Sequence, residues 1–221
     1  LAHKEGELET EEGSRGGAAL LLNKRSFEVG AEKDEITTNH EGRLAIREVA
    51  WEGMIFKIAS IYVPAEADYR KRYINKLYRT STLDKDMIIG GDFNCVINIG
   101  HDVQYGDERR QRRPYANMHG PLLTKLMNKA KLSDTHNRVN GENTGGYTRE
   151  GRDLQTRIDR IYARENNSRL AWDTAEVDHS IVAKTHTDHS PVVATEAALG
   201  STKSKAPQSR INKCVGGRLR M

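Results

Sequence analysis

A chain of 221 residues, 36% hydrophobic and 30% charged, can bury one sizeable core under a heavily polar surface, so one domain with a tail is expected. Its net charge of +4 and pI near 9.0 favour an anionic partner, nucleic acid first. Two distant cysteines, Cys95 and Cys214, exclude a disulfide framework and a cysteine zinc site and fit a reducing interior, and no apolar run approaches membrane-spanning length.

Residues 1–12 are polar and acidic, with Glu5, Glu7, Glu9, Glu11 and Glu12; together with a start on leucine they predict a fragment or a trimmed domain. Ala18–Leu22, Phe27–Gly30 and Glu35–Asn39 read as short strands. Arg43–Trp51 and Met54–Pro64 flank a hairpin-like Glu52-Gly53 turn, and the second run is apolar on both faces, as a central strand between two layers should be. Tyr62 is its last residue on one face before Val63-Pro64. Tyr69, Tyr73 and Leu77, with Ile74 and Tyr78, recur at helical spacing over 65–80 and leave Arg70, Lys71, Arg72 and Lys76 mostly outward.

Met87–Asn94, MIIGGDFN, is a short buried strand running into a tight turn. Asp92 and Asn94 point to one face of that extended end, where they can hold a cation, a phosphate oxygen or a water; an Asx-type turn leaving a core strand accounts for them equally. Strand, helix and strand then bring Tyr62 and the Asp92/Asn94 pair to the ends of neighbouring strands.

Residues 101–118 form a polar loop whose Arg109, Arg110, Arg112 and Arg113 either face solvent or contact phosphates. Leu122, Leu123, Leu126, Met127 and Ala130 mark a second helix, and Leu132-Ser133-Asp134 leads into a glycine- and asparagine-rich loop over 140–146. Tyr147-Thr148 reads as a brief strand and Arg157–Ala163 as a longer one. Within the longer one Asp159 is an acid that either pairs with a nearby arginine or orients a histidine. Trp172–Ala183 is an expected edge strand and Ser190–Ala198 the last strand. His186 and His189 have the spacing of a metal pair but no third nitrogen or sulfur ligand near them in sequence. Residues 199–221 read as a flexible basic linker, leaving 13–198 as the folded domain.

In order along the chain, Tyr62-Val63-Pro64, Gly90-Gly91-Asp92-Phe93-Asn94, Arg157-Ile158-Asp159 and Asp188-His189-Ser190-Pro191 resemble the endonuclease/exonuclease/phosphatase superfamily, the DNase I-like enzymes. Ser14-Arg15-Gly16-Gly17 before an apolar strand, Tyr147-Thr148 and Thr156-Arg157-Ile158-Asp159 are similar to the endonuclease domain of LINE-type (non-LTR) retrotransposons, and Lys213–Met221 resembles the stretch that joins that domain to a reverse transcriptase.

The resemblance implies an α/β fold, a four-layer α/β sandwich, that hydrolyses a phosphodiester with Mg²⁺ or Mn²⁺. Asp92 would orient or deprotonate the attacking water, and Asn94 would hold that water and the scissile phosphate. His189 would contact a phosphate oxygen with Asp159 fixing its tautomer, and Tyr62 would stabilise developing charge. Asp188 and Asp92 would support the cation, while Thr148 and Thr156, beside Arg109 and Arg110 of the basic loop, would meet DNA.

The family's opening asparagine-bearing strand and Gln-Glu-Thr-type segment do not precede Gly13, which predicts a domain short of its N-terminal strand and helix and impaired in metal binding. Val103 follows Asp102 where many relatives have arginine. The partners implied are DNA and a reverse transcriptase in the same polyprotein, with a monomeric domain away from membranes, intracellular and nuclear when it acts. A phosphoesterase of the same superfamily acting on inositol or lipid phosphates, and a non-catalytic basic DNA-binding remnant, are the alternative readings.

Overall fold

The computed structural model describes residues 17–23, 37–39, 41–51, 53–106, 119–141, 145–164, 171–180 and 187–197. The acidic opening, the strand expected over Phe27–Gly30, Arg109 and Arg110 with the rest of their loop, His186 and the 199–221 linker lie outside the described residues.

The central element is β3 (Met54–Tyr62), which pairs antiparallel with β2 (Leu44–Trp51), with Trp51 opposite Met54 and Leu44 opposite Ile61. β1 (Thr37–Asn39) pairs with the outer side of β2. After β3 the chain crosses over through α1 (Ala67–Thr80) and returns as β4 (Met87–Asp92), parallel to β3 with Tyr62 level with Asp92. This is the strand-helix-strand unit that the alternation and the helical period indicated. A six-stranded mixed sheet results, β1-β2-β3-β4-β9-β6, in which β9 is Asp159–Arg164 and β6 is Leu132–Asp134.

Apolar residues on both faces of β3 hold two layers together. On one face Ala59, Ile61 and Val63 pack with Tyr73, Ile74 and Leu77 of α1 and with Leu123, Leu126 and Met127 of α3 (Gly120–Ala130). On the other, Phe56 and Ile58 join Val49 in a smaller cluster. Burial on this scale, at about 25 cal/mol per Å² of apolar surface, is what orders both helices against the sheet.

Two smaller sheets complete the molecule: β5 (Val103–Tyr105), β8 (Leu154–Thr156) and β7 (Arg149–Glu150) in one, and β10 (Ala171–Val177) with β11 (Val192–Ala197) in the other. Short helices α2 (Ile99–Asp102) and α4 (Thr135–Asn140) link them to the main sheet.

Two local expectations are corrected. Ala18–Leu22 is not a strand: beyond one hydrogen bond from the Ala18 N–H to the Gly42 carbonyl it makes no ladder, Leu20 and Leu22 lean on the Val49 cluster, and Leu21 is 83% exposed. The strand expected at Tyr147-Thr148 begins two residues later, at Arg149, although the Thr148 N–H already donates to the Thr156 carbonyl at 2.9 Å and its carbonyl accepts from the Ser190 N–H at 2.6 Å. Between Asp134 and the loop expected over 140–146 lies α4, which the sequence reading did not place; it is capped by the Asp134 carboxylate, which accepts from the His136 and Asn137 N–H groups.

Candidate active site

Three strand ends meet at one edge of the main sheet. Asp92 stands level with Tyr62 across the parallel pair and level with Asp159 across the antiparallel β4–β9 pair. Gly91 permits this: a Cβ there would lie 1.9 Å from the Ile61 carbonyl oxygen, so only glycine lets β4 come this close to β3.

Beyond Asp92 the chain turns sharply. The Asn94 N–H donates to Asp92 Oδ1 at 2.7 Å, and the Asn94 side-chain amide donates to Asp92 Oδ2 at 3.0 Å and to the Val63 carbonyl at 2.8 Å. Asn94 adopts the left-handed conformation, φ 47°, which asparagine tolerates better than most residues. The turn that explains the pair structurally is thus also the device that aims the Asp92 carboxylate. Arg70 of α1 pins the turn from outside, donating to the carbonyls of Asn94 at 2.6 Å, Pro64 at 3.1 Å and Ala65.

His189 arrives from the segment before β11 and is bridged to Arg149 of β7. Its Nδ1 faces Asp159, 2.9 Å from Oδ2 and 3.2 Å from Oδ1, which leaves Nε2 as the outward nitrogen. Asp159 therefore partners a histidine, whereas Arg157 and Arg160 beside it are spent elsewhere. Thr148, 1% exposed, holds this strand start in place: its hydroxyl accepts from the N–H groups of Ile158 at 3.2 Å and Asp159 at 3.0 Å.

Ligand atoms of Asp92, Asp159 and His189 lie within 4.8 Å of one another. Burial and the neighbouring Asp159 charge push the Asp92 carboxyl up to about 7, so the protein alone leaves negative charge here under-compensated. Burial opposes charging of His189, but the carboxylates of Asp159, Asp92 and Asp188 outweigh it and its pKa is raised. Two carboxylates with excess negative charge are donors suited to a hard divalent cation, which commonly takes one or two protein carboxylates and completes its shell with water and phosphate. The site fits such an ion.

Asp188 is not in this cluster. Its Oδ2 pairs with Arg149 Nε at 3.0 Å, its Oδ1 lies 3.9 Å from His189 Nε2, and although burial acts the other way, the Arg149 hydrogen bond and charges lower its pKa. Tyr62 lies at the same edge, its ring under the Arg43 guanidinium at 5.3 Å. Thr148 and Thr156 are interior, 1% and 3% exposed, and present no open surface to a nucleic acid.

Behind the edge is a feature that sequence reading missed. Arg157 and Arg160, 4% and 2% exposed, form a buried neutral cluster with Asp102 and Asp134. Arg160 reaches Asp134 at 2.6 Å and Asp102 at 2.5 Å; Arg157 reaches Asp102 at 3.1 Å and Asp134 at 2.9 Å. This ties α2, β6 and β9 together behind Asp159. Arg149 was missed as well, since nothing local distinguishes it from other arginines; only the fold sets it beside Asp188 and His189.

Known structures share this arrangement of elements. The chain is similar to the endonuclease domain of TRAS1, a telomere-specific non-LTR retrotransposon, at 18% identity over 72% of this chain and 64% of that one, with a TM-score of 0.51. It is also similar to the 3′-5′ exonuclease NExo from Neisseria meningitidis, at 19% identity, 78% and 72% coverage and a TM-score of 0.55. The fold is DNase I-like.

The AP endonuclease LMAP from Leishmania major shares the DNase I-like fold at 15% identity, with 75% of this chain and 57% of that one covered and a TM-score of 0.52. The chain thus spans less than two thirds of the TRAS1 domain and of LMAP. No family model and no curated protein matches the sequence. Within the DNase I-like frame, Asp92 and Asp159 stand at the ends of two neighbouring strands of the main sheet, and His189 meets Asp159 from the segment before β11.

Proposed function

We propose that the chain is a divalent-cation-dependent phosphodiester hydrolase that nicks DNA, the endonuclease domain of a non-LTR retrotransposon polyprotein, with a reverse transcriptase downstream and a nuclear site of action. The observation that carries this reading is the His189–Asp159 contact at 2.9 Å beside Asp92 on a DNase I-like fold. The four-layer sandwich belongs to the same proposal.

Asp92 and Asp159 would hold the cation, Mg²⁺ or Mn²⁺, which when bound draws charge off the phosphate oxygens. The side chains do the rest. Asp92, fixed by two hydrogen bonds from Asn94, orients a water and takes its proton. His189, held through Nδ1, offers its Nε2 proton to a non-bridging phosphate oxygen, and its raised pKa favours the charged donor. Arg149, half exposed beside His189, adds a cationic rim that can leave Asp188 for the phosphate. Tyr62, level with Asp92, would offer its hydroxyl to charge developing on the leaving oxygen.

End chemistry tests the reading. A labelled duplex incubated with the chain and Mg²⁺ is expected to carry single-strand breaks whose 3′ ends a polymerase extends without prior treatment. Ends that need a phosphatase first, or hydrolysis of a soluble inositol phosphate with the duplex intact, would overturn it.

A further inference from the structure

The charge of this chain is unevenly placed. α1 carries five basic side chains against one acidic, and α3 with its capping Lys131 three against none, a net +7 in a chain whose total is +4. The two helices form the layer over one face of the sheet, and Arg72, Lys76 and Arg79 of α1 and Lys125 and Lys129 of α3 are exposed. Among the described residues none of these five has an acidic partner.

Their undersides are tyrosines. Lys125 and Lys129 sit over the Tyr78 ring at 5.0 and 4.4 Å, and Arg72 over Tyr69 at 5.8 Å. Ring faces fix the cations on the surface without neutralising them. A groove of about 340 Å³ runs along Arg72, Asn75, Lys76, Arg79 and Thr80.

The cations are arranged as a track with one end at the active site. The Arg43 guanidinium lies 5.3 Å from both the Tyr62 ring, at the site, and the Tyr69 ring, in the first turn of α1, next to which Arg72 starts the stripe. From Arg72 to Arg79 the helix rises about 10 Å, carrying the stripe toward the far end of the sheet. The large hydrophobic side chains that stand exposed, Leu21, Ile55 and Ile99, are on neither helix, so this layer has no apolar anchor for a lipid surface. An elongated, unneutralised cationic strip that begins at a phosphodiesterase site fits a nucleic-acid backbone.

We propose that the α1–α3 face is a second nucleic-acid surface, which grips the phosphates of duplex flanking the segment held at the sheet edge. Only the starting point of the track rests on the nuclease reading; the binding itself needs no catalysis. Each cation that neutralises a phosphate releases a counterion, so the contribution of the strip is read directly in salt dependence.

The test is fluorescence anisotropy of a labelled 30-bp duplex with the full chain in EDTA, from 50 to 200 mM NaCl. Arg72→Gln/Lys76→Gln/Arg79→Gln is expected to raise Kd at least about tenfold at 50 mM salt and to flatten the log Kd against log salt slope by about 2 to 3. Lys125→Gln/Lys129→Gln, on the other helix, is expected to flatten it by about 1 to 2. Lys85→Gln/Arg138→Gln/Arg164→Gln removes the same charge elsewhere and is expected to change Kd less than about threefold. Unaltered binding by both helix variants would overturn the proposal, as would equal weakening by the control, which would make net charge the cause, or equally tight capture of poly-glutamate, which would make the strip a protein-docking face. Loss of nicking with this pattern intact would overturn the catalytic reading and leave the surface standing.

Discussion

At Asp92, burial and a neighbouring carboxylate both oppose ionisation. Its carboxyl is buried, faces a second carboxylate and is pushed up to about 7, so in the metal-free protein the folded state binds a proton that the unfolded chain gives up near the ordinary carboxylate value of 3.8. Because the folded pKa is the higher one, stability falls as pH rises between those values, and above about 7 the full cost of the charge is present. Asp92→Asn removes that charge. Without metal, the variant is expected to exceed the wild type in stability at pH 8, by on the order of 2 kcal/mol, with the gain shrinking as pH falls toward 4. Denaturant melts at several pH values measure this; a variant less stable than the wild type at pH 8 would show that the carboxylate is no burden. Such a trade of stability for charge placement is what a working site requires.

The elements divide into those written locally and those that are not. β3, α1 and β4 were legible because their apolar residues repeat with a period of two or 3.6, and the parallel register that sets Tyr62 beside Asp92 follows from the crossover. α4 was not, being six residues long and too short to show a period, although Asp134 at its cap was a signal available in the sequence. The buried cluster could not be read at all. Arginine is seldom interior, and Arg160 meets partners 26 and 58 residues away that only the tertiary fold brings near. Asp159 was left open between an arginine partner and a histidine partner; the fold decides it by giving Arg157 and Arg160 to Asp102 and Asp134. Removing one acid from that cluster leaves two buried guanidinium groups sharing one carboxylate. Asp134→Ala is therefore expected to cost about 3–5 kcal/mol in chemical denaturation, against at most about 1 kcal/mol for Asp84→Ala at the half-exposed Lys57 pair. Similar losses for the two would mean that the cluster contributes no more than a surface pair.

Over the whole molecule, the site is set by where the strands of a mixed sheet begin and end. β3 and β4 end, and antiparallel β9 begins, at one edge, so the last residues Tyr62 and Asp92 and the first residue Asp159 meet there, with Asn94 in the turn that leaves β4. The histidine comes from the segment before β11 and is bridged to β7, so the site exists only when these segments pack against the main sheet. The helical layer over one face then carries a net +7, more than the +4 of the whole chain. The most direct measurement is nicking of supercoiled plasmid in Mg²⁺ by the wild type beside Asp92→Ala and His189→Ala, each checked for folding by circular dichroism. Open circles are expected to accumulate with the wild type and to form at least about 100-fold more slowly with either variant. Equal rates for all three proteins would contradict the assignment of this strand edge as the place where the phosphodiester is cut.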